Sequence, residues 1–288
     1  MEENKVVNPE VEETQGAEAE ETKVTAENWG DYACGKMSIE TIEVSGFKGA
    51  VHGMRKSYRT EAKSDSVFRD GKSYLGKKDL TLMKTLMRGC GAEAKFARCI
   101  HVQAEINAPL LFWKQIDTYK VGTTRLSDST MHNITKEMIT PEMFAADCVM
   151  NHPMSLSFAG RATSRTAFML TLQTIEMLRI EYMRAKNTII DKEFVDTYGQ
   201  EEFDKAVKAR SDIMSMCERQ IFEMLPDSFL MNSVVDLNYQ VLRNIYFTRE
   251  GHKLKEWQIF REWIETLPYS EIITTTKNEG VGNEKADN

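Results

Sequence analysis

Apolar and polar positions alternate between Phe96 and Asn107: Ile100, Val102, Ala104 and Ile106 fall on one side, His101, Gln103, Glu105 and Asn107 on the other. A period of two is that of a strand with one buried face. The polar side is either a solvated face or a row lining a ligand cleft. A second strand-like run, Ser38 to Gly46, carries Ile, Thr and Val and ends at Gly46, and a basic loop from His52 to Lys72 follows it. Leu80, Met83, Leu86 and Met87 recur at helical spacing, and Gly89 and Gly91 end that helix. Pro109 suits the first position of a helix, because its fixed φ is already helical and its missing N–H would have no partner there. Leu110, Leu111, Phe112, Trp113 and Ile116 form the apolar part of that helix.

The second half repeats with the helical period. Phe168, Leu172, Ile175, Leu178, Tyr182 and Ala185 form one stripe behind a possible Ser164 cap. Phe203, Ala206, Ile213, Cys217, Ile221 and Met224 form another, broken at Pro226, and two more helices are expected at about 230–249 and 253–266 with Gly251 between them. The pattern predicts an α+β fold: a small, mostly antiparallel sheet in the first half packed with a helical second half.

Within the helix expected at 230–249, Asn238, Leu242, Ile245 and Arg249 fall within about 60° of one another, with Asn238 and Arg249 about 16 Å apart along the axis. An apolar stripe thus carries an amide at one end and a guanidinium at the other. A buried guanidinium needs a partner; Glu256 on the next helix is one choice, an anionic ligand the other. Between Lys120 and His132 the chain turns polar, with Thr123, Thr124, Arg125, Ser127, Asp128, Ser129 and Thr130 together. Hydroxyls and backbone amides beside a cation suit a phosphate, and they equally suit a surface loop.

Charge sharpens the domain boundaries. The 288 residues carry a net charge of −7, yet residues 1–31 hold ten acids against two lysines and residues 272–288 hold three against two, which leaves the body mildly basic. An acidic, aromatic-poor start reads as a disordered tail. The expected organisation is a tail over 1–35, one α/β domain over 36–271, and a flexible C-terminal tail over 272–288. The basic body is compatible with anionic nucleotides. The basic stretch from His52 to Lys72 is interrupted by Glu61, Asp65 and Asp70, so a nucleic-acid surface is not expected. Five cysteines without a CxxC pair fit a reduced, cytoplasmic protein. Five scattered histidines without HExxH spacing argue against a zinc site, and neither GxGxxG nor a P-loop occurs. No apolar run approaches the roughly 18 residues of a spanning helix, and the acidic N-terminus lacks a secretory h-region.

Three places together resemble the flavin-dependent thymidylate synthases (ThyX), in a divergent form that looks like the variant found in phages of gut bacteria. Asn107-Ala108-Pro109 ends a strand and Lys114-Gln115 follows, as an Ala-Pro and an Arg-Gln do in the family. Thr118-Tyr119-Lys120, Gly122-Thr123 and the Ser/Thr cluster stand where the family has R-H-R-x-x-S-x-N-E-x-S-x-R-Y. Leu225-Pro226 precedes Asn238, Leu242 and Arg249 as Leu-Pro precedes N-x-R-x-L and a later Arg in the family. Arg-His-Arg has become Thr-Tyr-Lys, the Asn-Glu pair is absent, Gln240 replaces the Arg of N-x-R, and Lys253 to Gln258 keeps only the Glu of the family's A-Q-x-E-I-R.

The resemblance implies a homotetramer that methylates dUMP to dTMP with FAD, NADPH and methylenetetrahydrofolate, without a cysteine nucleophile and without a metal. It implies that Gln115, Lys120, Ser129 and Arg249 bind the nucleotide and that Lys120, Thr123, Asn238 and Arg249 bind the cofactor. If phage-encoded, the protein would work in the bacterial host cytoplasm. The lost cations imply the alternative, a catalytically degenerate relative that binds a nucleotide or a protein partner.

Overall fold

The computed structural model describes residues 24–25, 36–89, 91–151, 155–156 and 162–276. After the two-residue β1 (Val24–Thr25) come β2 (Ser38–Ser45), α1 (Phe47–Lys56), a hairpin of β3 (Val67–Arg69) and β4 (Lys72–Tyr74), and α2 (Lys77–Gly89). A 3-10 turn leads to β5 (His101–Pro109), α3 (Leu110–Ile116), β6 (Thr123–Ser127) and two short helices, α4 (Thr130–Asn133) and α5 (Asp147–Asn151). The small ladder of β7 (Ser155–Leu156) and β8 (Ala162–Thr163) opens α6 (Ser164–Asn187), followed by α7 (Lys192–Tyr198) and α8 (Gln200–Met224). The chain then returns through β9 (Leu230–Asn238), α9 (Tyr239–Thr248), α10 (Lys255–Thr266) and α11 (Glu271–Thr274).

The fold is α+β. The main sheet has the order β1-β2-β5-β9-β6, and its neighbouring strands are antiparallel. One face of β5 is buried at Val102, Ala104 and Ile106, with Ile100 just before it, while His101, Gln103 and Glu105 face outward, as the alternation predicts. Ile39, Val235 and Leu237 extend this buried face, and Phe47, Met83, Leu242, Trp257 and Trp263 from the helices close the core over it. A second cluster, with Ile134, Phe144, Leu172, Ile175, Ile221 and Phe229, joins α6 and α8 to the end of β9. Gly46 makes the turn from β2 into α1 at φ +92°; a Cβ there would lie 1.8 Å from the Cys99 carbonyl oxygen, so the position requires glycine.

Several expectations are corrected. The helix expected at 230–249 is a strand followed by a helix: β9 alternates sides with Val234 and Val235 at its centre, and Asn238 ends it by capping α9. The sheet therefore takes its strand between β5 and β6 from the second half of the chain. The polar segment from Lys120 to His132 is the edge strand β6 and then α4, because an edge strand tolerates a solvated face. The strand expected from Phe96 begins at His101, after a 3-10 turn over Glu93–Cys99. Pro109 precedes α3 rather than opening it, and Thr163, not Ser164, caps α6 by accepting from the Thr166 N–H at 3.2 Å.

The basic loop from His52 is helical as far as Lys56, and its Arg55 is committed to a buried ion pair with Asp79 at 2.5 Å. Ile272 and Ile273, the first residues of the tail expected over 272–288, are fully buried in the core, and residues 277–288 of it lie outside the described residues. The tail expected over 1–35 lies outside the described residues except for Val24–Thr25, which pair with Ser38–Ile39.

Candidate functional site

The residues singled out by sequence meet where the α3–β6 connection crosses α9. Asn238 caps α9: its Oδ1 accepts from the Val241 N–H at 3.0 Å, satisfying one of the unpaired amides of the first turn. Its Nδ2 donates to the Gly122 carbonyl at 3.3 Å, tying the connection to the helix start. Gly122 has φ +80°, and a Cβ there would lie 2.4 Å from Asn238 Nδ2.

Two cavities flank this tie. The larger, about 660 Å³, is lined by Val121, Gly122, Asn238, Gln240, Asn244 and Phe247 together with Arg98 and Arg243. Its apolar wall includes Met87 and Ala94. Arg98 Nε donates to Gln240 Oε1 at 2.5 Å, and the Arg243 guanidinium lies 4.7 Å from the centre of the Phe247 ring.

The smaller cavity, about 460 Å³, is lined by Ile116, Asp117, Tyr119, Lys120, Thr123 and Arg125. Arg125 pairs with Asp117 at 3.2 Å and stacks 4.8 Å over Trp113. Its Nη1 and the Thr123 Oγ1 are both shielded from solvent, with no hydrogen-bond partner among the described residues. Buried donors are normally satisfied, so this pair marks a place where an acceptor fits. Lys120 is exposed at the same cavity.

Arg249, the last residue of the predicted stripe, sits at the far end of α9. Its Nε donates to the Tyr119 hydroxyl at 2.9 Å, and its guanidinium lies 4.4 Å from the Trp257 ring centre and 5.3 Å from that of Tyr119. Stacking on two aromatic rings, with a hydroxyl acceptor, gives the half-buried cation its partners. The expected Arg249–Glu256 pair does not form; Glu256 is buried and has no ion pair among the described residues. Burial, reinforced by Asp147, pushes the Glu256 carboxyl above its ordinary range. His252, beside Trp257, has its pKa lowered by burial and then by Arg249; its Nδ1 accepts from the Leu254 N–H at 3.1 Å. Gln115 joins this cluster by accepting from Trp257 Nε1 at 2.8 Å.

The structure thus brings Gln115 and Arg249 together on Trp257, and sets Lys120 and Thr123 on the smaller cavity with Tyr119 as the link. Asn238 belongs to the larger cavity. Ser129 stands apart: it caps α4 beyond the far end of β6, whose four steps from Thr123 to Ser127 already span about 13 Å. Sequence reasoning missed Arg98, Arg243 and Trp113. Arg98 belongs to a 3-10 turn rather than to the expected strand, and the apolar period carries no mark of the Arg125–Trp113 and Arg243–Phe247 stacking. No group of His, Cys, Asp and Glu among the described residues could hold a metal ion. No helix among them is long and apolar enough to cross a membrane.

The class defined here is an α+β fold in which an antiparallel sheet and a capped helix enclose paired cavities rich in guanidinium and amide groups. Among solved structures that fold is found in thymidylate synthase X (ThyX) of Helicobacter pylori. One structure of that enzyme, with FAD and dUMP, matches at 12% identity over 83% of this chain and 97% of its own, with a TM-score of 0.52. Another, also complexed with FAD and dUMP, matches at 13% identity over 82% and 97%, with a TM-score of 0.51. No family model matches the sequence, and no curated protein does.

Proposed function

We propose that this chain is a flavin-dependent thymidylate synthase-like protein that binds FAD and a pyrimidine deoxynucleotide. The observation that carries the reading is the pair of cavities across the Gly122–Asn238 tie, in a fold whose solved neighbours hold FAD and dUMP. The donor set fits such ligands. In the larger cavity Asn238, Gln240 and Asn244 offer amide groups beside the Arg98 guanidinium, and Phe247, Met87 and Ala94 offer an apolar wall for a ring. In the smaller, Thr123 Oγ1, Arg125 Nη1 and Lys120 offer unsatisfied or free donors to an anionic group.

Bound flavin would supply the hydride chemistry, with NADPH and methylenetetrahydrofolate as the co-substrates that this reading requires. The protein's own residues would hold and orient. Lys120 acts as a point charge on a phosphate, Arg125 is pre-aimed by Asp117 and Trp113, and Arg249 is a cation fixed between Tyr119 and Trp257. Gln115 and Ser129 remain proposed nucleotide contacts; Ser129 could serve only a ligand, or a subunit, that reaches the far end of β6. On this reading the protein is also a phage-encoded homotetramer that works in the cytoplasm.

A second reading, a non-catalytic relative that binds a nucleotide or a protein partner, is favoured by one observation. The Gln115 Oε1 is taken up by Trp257 and the Arg249 Nε by Tyr119, so part of each polar group is committed within the chain. The test is the visible absorption of the purified protein, followed by titration of FAD and of dUMP. Flavin-coloured protein that forms dTMP supports the first reading. dUMP binding without turnover supports the second. Failure to bind either ligand overturns the nucleotide reading.

A further inference from the structure

Helices α6 and α8 are almost equal in length and pack together, yet their outer faces differ. Along α8 the exposed positions carry Glu201, Asp204, Lys205, Asp212, Arg219 and Glu223, the ordinary surface of a solvated helix. Along α6 the exposed positions from Thr166 to Ile180 carry no charge at all: Thr166, Ala167, Leu170, Gln173, Thr174, Met177 and Ile180. Leu170, Met177 and Ile180 are 57%, 70% and 39% exposed. The Thr174 hydroxyl donates to the Leu170 carbonyl at 2.9 Å, so that side chain shows its methyl group outward. The uncharged strip runs about 21 Å along the helix.

The strip is also close to a palindrome. About a centre between Gln173 and Thr174, Leu170 mirrors Met177, Ala167 mirrors Ile180, and Thr166 mirrors Glu181. Exposed Arg165 lies one step beyond Thr166 at one end, and exposed Glu181 lies at the other. Two copies of such a helix laid antiparallel meet large residue against large, small against large, and cation against anion, with no like charges opposed.

We propose that this face of α6 is the contact between two copies of this chain, packed antiparallel about a two-fold axis between Gln173 and Thr174. A two-fold contact must be self-complementary, and the mirrored strip with oppositely charged ends meets that condition. Leu170 and Met177 fill each other's surface at the centre. Arg165 of each copy faces the Glu181 carboxylate of the other. The inference is independent of the nucleotide reading.

The test is sedimentation velocity on the full chain across roughly a hundred-fold range of concentration, since a mass-action contact must weaken on dilution. The expected result is a dimer or a higher even assembly. Leu170→Glu and Met177→Glu, each at an exposed position, should weaken it at least about tenfold with unchanged helical circular dichroism. Arg165→Glu and Glu181→Arg should each weaken it several-fold, and the double reversal should restore it. A wild-type chain that is monomeric throughout overturns the proposal. So does an assembly that Leu170→Glu leaves unmoved, or a double reversal no better than the single changes.

Discussion

The Tyr119 hydroxyl accepts a hydrogen bond from Arg249 Nε at 2.9 Å, joining the α3–β6 connection to the end of α9 across 130 residues of sequence. The contact holds the guanidinium against Trp257, and its charge reaches His252. Arg249→Gln is therefore expected to raise the His252 pKa toward its ordinary value without reaching it, because burial is the larger cause and remains. The sign of the pH effect follows. The folded-state pKa is depressed, so unfolded chains bind the proton more readily, and the associated stability is lost as pH falls below about 6.5 toward the folded value. An NMR titration of His252 in both proteins checks this; an unchanged or lower pKa in the variant refutes it. Tyr119→Phe should cost about 1 kcal/mol by removing a partly exposed charge-assisted bond.

Asn238 serves two neighbours, so its loss should exceed that of an ordinary cap. Asn238→Ala removes the acceptor for Val241 and the donor to Gly122, and should cost about 2 kcal/mol, the upper end for an N-cap. Gly122→Ala adds strain at φ +80° and drives a methyl group against Asn238 Nδ2, so it should destabilise by about 1–3 kcal/mol. Urea unfolding measures both. If the two costs add fully in the double variant, the tie is not a shared interaction.

Strands and helices with a clean period were legible in the sequence; boundaries set by tertiary contacts were not. Ile100 to Ile106 alternate and pack as read. The stretch from Leu230 to Asn238 shows the opposite case. Apolar residues at 231, 234, 235 and 237 satisfy either period locally, and pairing with β5 and β6 on both sides decides for a strand. Asn238 and Arg249 were found because an amide and a guanidinium bounding an apolar stripe need partners. Which partners they take was not legible: Gly122, Tyr119 and Trp257 are distant in sequence, and the acid on the next helix was the only nearby alternative. Arg98 was not legible for a similar reason, since its partner Gln240 comes from α9, and Arg125 was legible as a cation beside hydroxyls but not in its pairing with Asp117 and Trp113.

Asp79 sits at a fully buried position where burial pushes its carboxyl pKa up, yet hydrogen bonds from Ser64, Ser66 and Arg55 more than offset this and leave it below the ordinary value. Asp79→Asn keeps the shape but strands the Arg55 guanidinium, and is expected to cost about 3–5 kcal/mol. Replacing both, as Arg55→Met with Asp79→Leu, should cost much less, because no charge is then left unpaired. The folded pKa is depressed, so the wild-type contribution is present above about 3.8 and lost as pH falls through the folded value. Chemical unfolding at neutral pH and under acid conditions separates the cases. A double variant as unstable as the single one would contradict the assignment.

Glu256 presents the reverse balance. It lies in the first turn of α10, where the helix dipole and its own backbone amide favour a carboxylate. Burial nevertheless wins, Asp147 adds repulsion, and no cation among the described residues answers it. The folded state therefore holds the Glu256 proton more tightly than the unfolded chain does. Stability falls as pH rises from about 4.5 to the folded pKa and stays reduced above it. Glu256→Gln keeps the size and a hydrogen-bonding group while removing the charge, so it should raise Tm at neutral pH. The gain should shrink as the pH is lowered and vanish below about 4.5. Thermal unfolding of both proteins across that range checks the sign. A variant less stable than the wild type at neutral pH would contradict the reading of Glu256 as a buried, uncompensated carboxylate.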